Sequence, residues 1–233
     1  MQAFHGDPAI KAKYVNRLMQ HRVAERLIQG TGWDLKRGKG CAVGCTLENY
    51  DHDRYPLELG LPVWLARYED LLFESLPKEQ AEQFAIDLLN VIPVGADVRQ
   101  VARKLSILRL EQLQSALLLA PEKDLKDTED ALAVIQYVIK WHKTRGPVEN
   151  EKSLDLKTKK VEDMTSDGFL GSTKTPQLWA RRCALYSVSS EFSYAAIGPA
   201  YMVHSLTFSD KNIDYYEWEA ATLLRLLSEC KPG

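Results

Sequence analysis

The placement of the prolines constrains this chain more than any other feature. Pro8, Pro62, Pro77, Pro121 and Pro176 each stand ahead of a run in which apolar residues recur every three or four positions. A proline inside a helix removes a hydrogen bond and clashes with the preceding turn. At the first helical position its missing N–H costs nothing, and its fixed φ is already helical. Prolines set this way predict a series of helices with short joints. Asp7-Pro8 reads as an N-cap followed by that first position, with Ile10, Tyr14, Leu18, Leu27 and Ile28 on one stripe and Gly30 past the helix end. Pro62 opens a second helix carrying Trp64, Leu65, Tyr68, Leu71 and Leu72, and Pro77 a third with Phe84, Leu88 and Val91 inward. A fourth is expected from near Ala96 to about Leu119, and a fifth after Pro121 with Leu132, Ile135, Val138, Ile139 and Trp141. Pro176 begins a segment rich in Ala, Ser and Tyr that Gly198-Pro199 is expected to break. "YYEWEAATLLRLLSEC" closes the series. With no two-residue alternation and no fixed-period repeat, the expected fold class is all-α, an irregular multi-helix array.

Two stretches fall outside this periodicity. Residues 30–60 are glycine-rich and polar and read as an ordered loop, and residues 147–175 as a charged polar loop or linker. The organisation that follows is a helical core over 1–146, the polar segment 147–175, and C-terminal helices over 176–233 packed on the same core. A chain of 233 residues with 45% hydrophobic side chains can bury such a core. A net charge of −2 supplies no basic field, so no nucleic-acid surface is expected. The longest apolar run, near "SALLLA", is too short to cross a bilayer, and "MQAFHGDP" has no apolar segment with a cleavage site. The expected location is cytoplasmic, with Cys41, Cys45, Cys183 and Cys230 as reduced thiols.

The most unusual local feature is "GKGCAVGC", Gly38 to Cys45. A P-loop needs its lysine directly before Ser or Thr and a buried strand leading in; here Lys39 precedes the second glycine. The G-x-G-x-x-x-G spacing also misses the dinucleotide fingerprint. Three readings remain open. Cys41 and Cys45, with His52 and His21, have the donor types of tetrahedral zinc. Lys39 could favour a Cys41 thiolate, with His52 between Asp51 and Asp53 as its base. Alternatively, Cys41, Ala42, Val43 and Cys45 form an apolar plug, since free cysteine is among the most buried residue types. No cofactor is expected outright, with zinc the alternative. The adjacent Glu69 and Asp70, and the pair Glu217 and Glu219, read as exposed helix faces.

The stretches "FHGDPAIKAKYVNRLMQHRVAERLIQG", "GKGCAVGC", "DHDRYPLELGLPVWLARYEDLLFESLP" and "PVGADV" resemble a family of uncharacterised bacterial and phage-associated proteins. The resemblance covers residues 4–98, with the Gly-Cys element, His52, Tyr55 and the Leu-Gly-Leu-Pro turn as its landmarks. It implies no activity, cofactor or catalytic residue. Two function classes follow from the sequence as a whole. One is a helical interaction or regulatory module that binds a protein partner or a second copy of itself. The other is an enzyme or small-ligand or metal binder centred on Gly38–Tyr55, with Lys39, Cys41, Cys45, His52 and Tyr55 as the candidate ligand-binding residues.

Overall fold

Asp7 caps the first helix, α1 (Pro8–Val23), its carboxylate accepting from the Ala9 N–H at 2.8 Å. A computed structural model describes residues 2–119, 125–144, 175–188, 197–207 and 212–233 of the chain. Among them the helices that follow are α2 (Ala42–Leu47), α3 (Tyr55–Leu59), α4 (Val63–Ser75), α5 (Lys78–Val91), α6 (Val101–Leu119) and α7 (Leu125–Thr144). Then come α8 (Pro176–Ser187), α9 (Ile197–Thr207) and α10 (Asn212–Ser228). The fold is all-α. No helix among the described residues is long and apolar enough to cross a membrane.

The prolines do what their chemistry demands. Pro62 and Pro77 are extended residues capping α4 and α5, and Pro176 is the first residue of α8. Gly198-Pro199 lies inside the first turn of α9, so it starts a helix. Pro121 and nearly all of the polar segment expected over 147–175 lie outside the described residues.

The structure departs from the periodicity in three places. α1 stops at Val23, seven residues short of Gly30. The N–H groups of Ala24 and Glu25 bond back to Gln20 and Arg22, and Glu25 takes a left-handed φ of 53°. The chain beyond it is extended, and Arg26 and Ile28 exchange backbone hydrogen bonds with Gly40 at 3.0 and 2.9 Å. Leu27 is buried there, outside the helix. Next, α6 begins at Val101, five residues after Ala96. Finally, the stretch expected as a loop over 30–60 contains α2, α3, a turn of 3-10 helix (His52–Arg54) and a ribbon of two strands. β1 (Trp33–Asp34) runs antiparallel to β2 (Lys39–Gly40), with Trp33 opposite Gly40 and Asp34 opposite Lys39.

The chain divides into two compact units, Met1–Val101 with Tyr216–Gly233, and Ala102–Tyr215. The division read from composition, at 146 and 176, follows the polar segment instead. In the first unit α1 packs on α5 and α2, and α4 packs on the same two helices. Leu18, Leu65, Leu72, Leu88 and Leu89 are wholly buried there. The C-terminus is stitched to this unit by backbone bonds, Asp97 N–H to Lys231 and Gly233 N–H to Gly95 at 3.2 and 3.1 Å. In the second unit α8 packs against α7 and α9.

Close packing explains the glycines of "GKGCAVGC". The carbonyl oxygen of Gly32 lies 2.3 Å from where a Cβ on Gly40 would stand, and 1.8 Å from one on Gly44. Both obstacles are backbone and have no rotamer to yield. Gly44→Ala is therefore expected to cost about 3 kcal/mol or more, beyond ordinary overpacking. Gly198→Ala, whose Cβ would meet nothing within 4 Å, stays within about 1 kcal/mol of the parent on the stabilising side. Urea denaturation of both variants checks this, and equal midpoints would refute the close-packing account.

Candidate functional site

Three segments of the first unit bring their polar side chains to one face of α4. The fully buried Cys41 is the N-cap of α2, its sulfur accepting from the Gly44 N–H at 3.4 Å. Tyr50 and His52 follow in the turn after α2, and Tyr55 begins α3. On α4, Asp70 and Glu74 are four residues apart and share a face, while Glu69 points inward.

Asp70 is the centre of the cluster. Its Oδ2 accepts the Tyr50 hydroxyl at 2.7 Å and lies 3.2 Å from His52 Nε2. The rings of Tyr50 and His52 meet edge to face at 4.9 Å. The Cys41 thiol lies against the same carboxylate. Burial by itself raises the Asp70 pKa, but hydrogen bonds from His52, Cys41 and Tyr50, with the His52 charge, outweigh it and hold the carboxyl below its ordinary value. Asp70 is thus an ionised carboxylate surrounded by donors.

Glu69, one residue earlier, is in the opposite state. It is wholly buried; Oε2 accepts the Tyr55 hydroxyl, and Oε1 has no hydrogen-bond partner. Burial pushes its pKa up to about 8 against the lowering effect of Tyr55, and the neighbouring Asp70 charge adds to the rise. The carboxyl is protonated at neutral pH. Burial and Glu69 together push the Tyr55 phenol well above its usual range. Tyr68, the residue before Glu69, makes a like pairing, donating to the buried Glu219 of α10.

The candidate residues from the sequence separate into three groups. Cys41 and His52 meet on Asp70, and Tyr55 stands beside them on Glu69. Cys45 faces the other way, its thiol directed at the carbonyls of Arg26 and Gly40 at 3.5 and 3.4 Å. Burial pushes that thiol up to about 12. Lys39 lies on β2 opposite Asp34, and His21 packs edge to face on Trp33 with Nε2 3.5 Å from Glu48. The four residues expected as zinc ligands (Cys41, Cys45, His52 and His21) therefore do not converge. The converging set is Cys41, Asp70 and Glu74, whose donor atoms all lie within 4.8 Å of one another. A catalytic Cys41 thiolate is also disfavoured: burial and the Asp70 charge push its pKa far up, the reverse of what activates a nucleophile.

The reading of Glu69, Asp70 and Glu219 as exposed is overturned, since Glu69 and Glu219 are fully buried and Asp70 largely so. A signal for the first and last was present. Glu69 stands four after Leu65 and three before Leu72, and Glu219 stands four before Leu223, each inside an apolar stripe. A carboxylate in that phase is buried with a partner or held neutral.

Comparison with known protein families, with characterised proteins and with solved structures finds no match to this chain.

The Glu69 proton makes stability depend on pH in a definite direction. Between the ordinary value of 4.5 and about 8 the unfolded chain gives up this proton and the folded chain keeps it. Stability present in full below pH 4.5 is lost as pH rises towards 8, at about 1.4 kcal/mol per unit from this group. Glu69→Gln retains an acceptor for Tyr55 and removes the titration, so its unfolding free energy is expected to fall less over that range. Denaturant curves across the range for both proteins measure the difference, and parallel slopes would show that Glu69 does not hold the proton.

Proposed function

We propose that this protein is a metal-binding helical domain that holds one divalent transition-metal ion between Cys41, Asp70 and Glu74. The observation that carries this reading is the convergence of one sulfur and two carboxylates within 4.8 Å. A tetrahedral ion sets its donors roughly 3.5 Å apart, so side-chain adjustments of about 1 Å close the set. Mixed sulfur and oxygen donors suit zinc and its neighbours better than magnesium or calcium, which take oxygen alone. The set runs from buried Cys41 through Asp70 to exposed Glu74, which supplies a route from solvent. His52 and Tyr50, both hydrogen-bonded to Asp70, would orient that ligand as outer partners do in metal centres. A cation here would also offset the repulsion between a Cys41 thiolate and its two carboxylate neighbours. The reading as a protein-docking module rests on fold class alone; the metal reading rests on named donor atoms.

Titration of the metal-free protein with cobalt(II) tests it. One equivalent is expected to produce a thiolate-to-cobalt charge-transfer band that Cys41→Ala abolishes. Glu74→Gln, on the exposed side, is expected to weaken binding by about tenfold or more, as the loss of one ligand should. A wild-type protein that gives no band with stoichiometric cobalt overturns the proposal.

A further inference from the structure

Helix α1 carries a second polar feature that the metal cluster does not use. Lys13, Asn16, Arg17, Gln20 and His21 are spaced three and four apart, and so occupy one face of the helix. That face lines a cleft of about 270 Å³ together with Arg26, beyond the helix end, and Glu48, the left-handed cap residue of α2. Three cations, Lys13, Arg17 and Arg26, line it with a single carboxylate, Glu48. The excess is local, because the chain as a whole carries a net charge of −2.

The cations differ in how they are held. Arg17 donates from Nη1 to the Thr46 carbonyl at 2.8 Å, with Nη2 3.7 Å from Glu48. Its guanidinium stands 5.3 Å from the centre of the Tyr14 ring, and the Lys13 ammonium 4.7 Å from the same centre. Arg26 is exposed and has no ion pair among the described residues. Glu48 already serves Arg17 and His21; the Lys13 ammonium donates to the Tyr14 hydroxyl at 3.3 Å, which in turn donates to Glu58, and neither Lys13 nor Arg26 pairs directly with a carboxylate among the described residues. His21 is 5% exposed, and its Nδ1 lacks a hydrogen-bond partner. Lys13 and Arg17 stand by one aromatic ring, and Arg26 lines the same cleft. An anion seated between them would pair with all three, with the Asn16 and Gln20 amides as further donors.

We propose that this cleft binds the phosphate group of a small, soluble phosphomonoester, with Glu48 accepting from a hydroxyl of the same molecule. Phosphate presents three acceptor oxygens to the ammonium, the two guanidinium groups and the amides. Glu48 then discriminates for ligands carrying a donor close to the phosphate and against those carrying a second anionic group.

Calorimetric titration of the full chain tests this, with chelator present so that phosphate does not bind through a metal. The probes are inorganic phosphate, glycerol phosphate and vesicles containing phosphatidic acid. Saturable one-to-one binding of the two soluble probes is expected, tighter for glycerol phosphate and weaker as salt rises. Lys13→Gln and Arg26→Gln, both at exposed positions, are each expected to weaken it by about tenfold. Glu48→Gln is expected to tighten inorganic phosphate and to remove the advantage of glycerol phosphate. Cobalt binding at Cys41 should be unchanged in Lys13→Gln and Arg26→Gln, which keeps the two sites separable. Three results overturn the proposal: no binding of either soluble probe, equal binding by the parent and the Lys13→Gln, Arg26→Gln double variant, or binding confined to the vesicles.

Discussion

A backbone carbonyl occupies the space where two side chains would otherwise stand. The Gly32 oxygen packs directly on Gly40 and Gly44, and the Cys41 N–H bonds to it at 3.1 Å and to the Thr31 oxygen at 2.7 Å. This contact fixes where β2 ends and α2 starts, and so where Cys41 and Cys45 point. Cys41 faces α4 because it caps a helix whose first turn is pressed against the ribbon. Cys45, one turn later, is turned back to the carbonyls of Arg26 and Gly40. The two sulfurs therefore belong to different environments although four residues separate them. A helical period alone would put them on one face, and the capping conformation of Cys41 is what parts them.

The cluster on α4 shows how depth, not residue type, sets protonation. Glu69 and Asp70 are successive carboxylic acids on one helix. Glu69 is sealed off with a single phenol donor and keeps its proton; Asp70, at the margin, has three donors and loses it. A carboxylate moved out of water needs several charge-assisted hydrogen bonds to stay ionised, and one phenol does not suffice. Each charge reinforces the other's state: ionised Asp70 raises the Glu69 pKa, and neutral Glu69 spares Asp70 a like charge. Tyr68 and Glu219 extend the same solution to α10, which joins the C-terminal helix to the first unit across 151 residues of sequence.

Helix starts were legible because proline and capping chemistry act locally. Asp7-Pro8, Pro62, Pro77 and Pro176 each needed only their own geometry and the residues that follow. The end of α1 was not legible for a complementary reason. Ile28 falls in the apolar phase of the helix, and what removes it is backbone pairing with Gly40, a partner supplied by tertiary structure. Of the candidate site, Cys41, His52 and Tyr55 stood out by residue type. The carboxylates that receive them did not, because surface and buried glutamates look alike until their phase is set against the apolar stripe. Glu69 sits in that stripe; Asp70 and Glu74 flank it, and only the approach of α2 shows which way they face.

The segment from Gly38 to Tyr55 separates two polar surfaces of opposite sign. On the side towards α4 lie Cys41, Asp70 and Glu74, donors that suit a cation. On the side towards α1 lie Arg17, Arg26 and Lys13, donors that suit an anion. The short helix α2 between them is entirely buried. Arg17 makes the connection physical: its guanidinium holds the Thr46 carbonyl in the last turn of α2 while lining the anion cleft. A ligand that drew Arg17 towards itself would release that carbonyl and loosen the helix whose cap is Cys41.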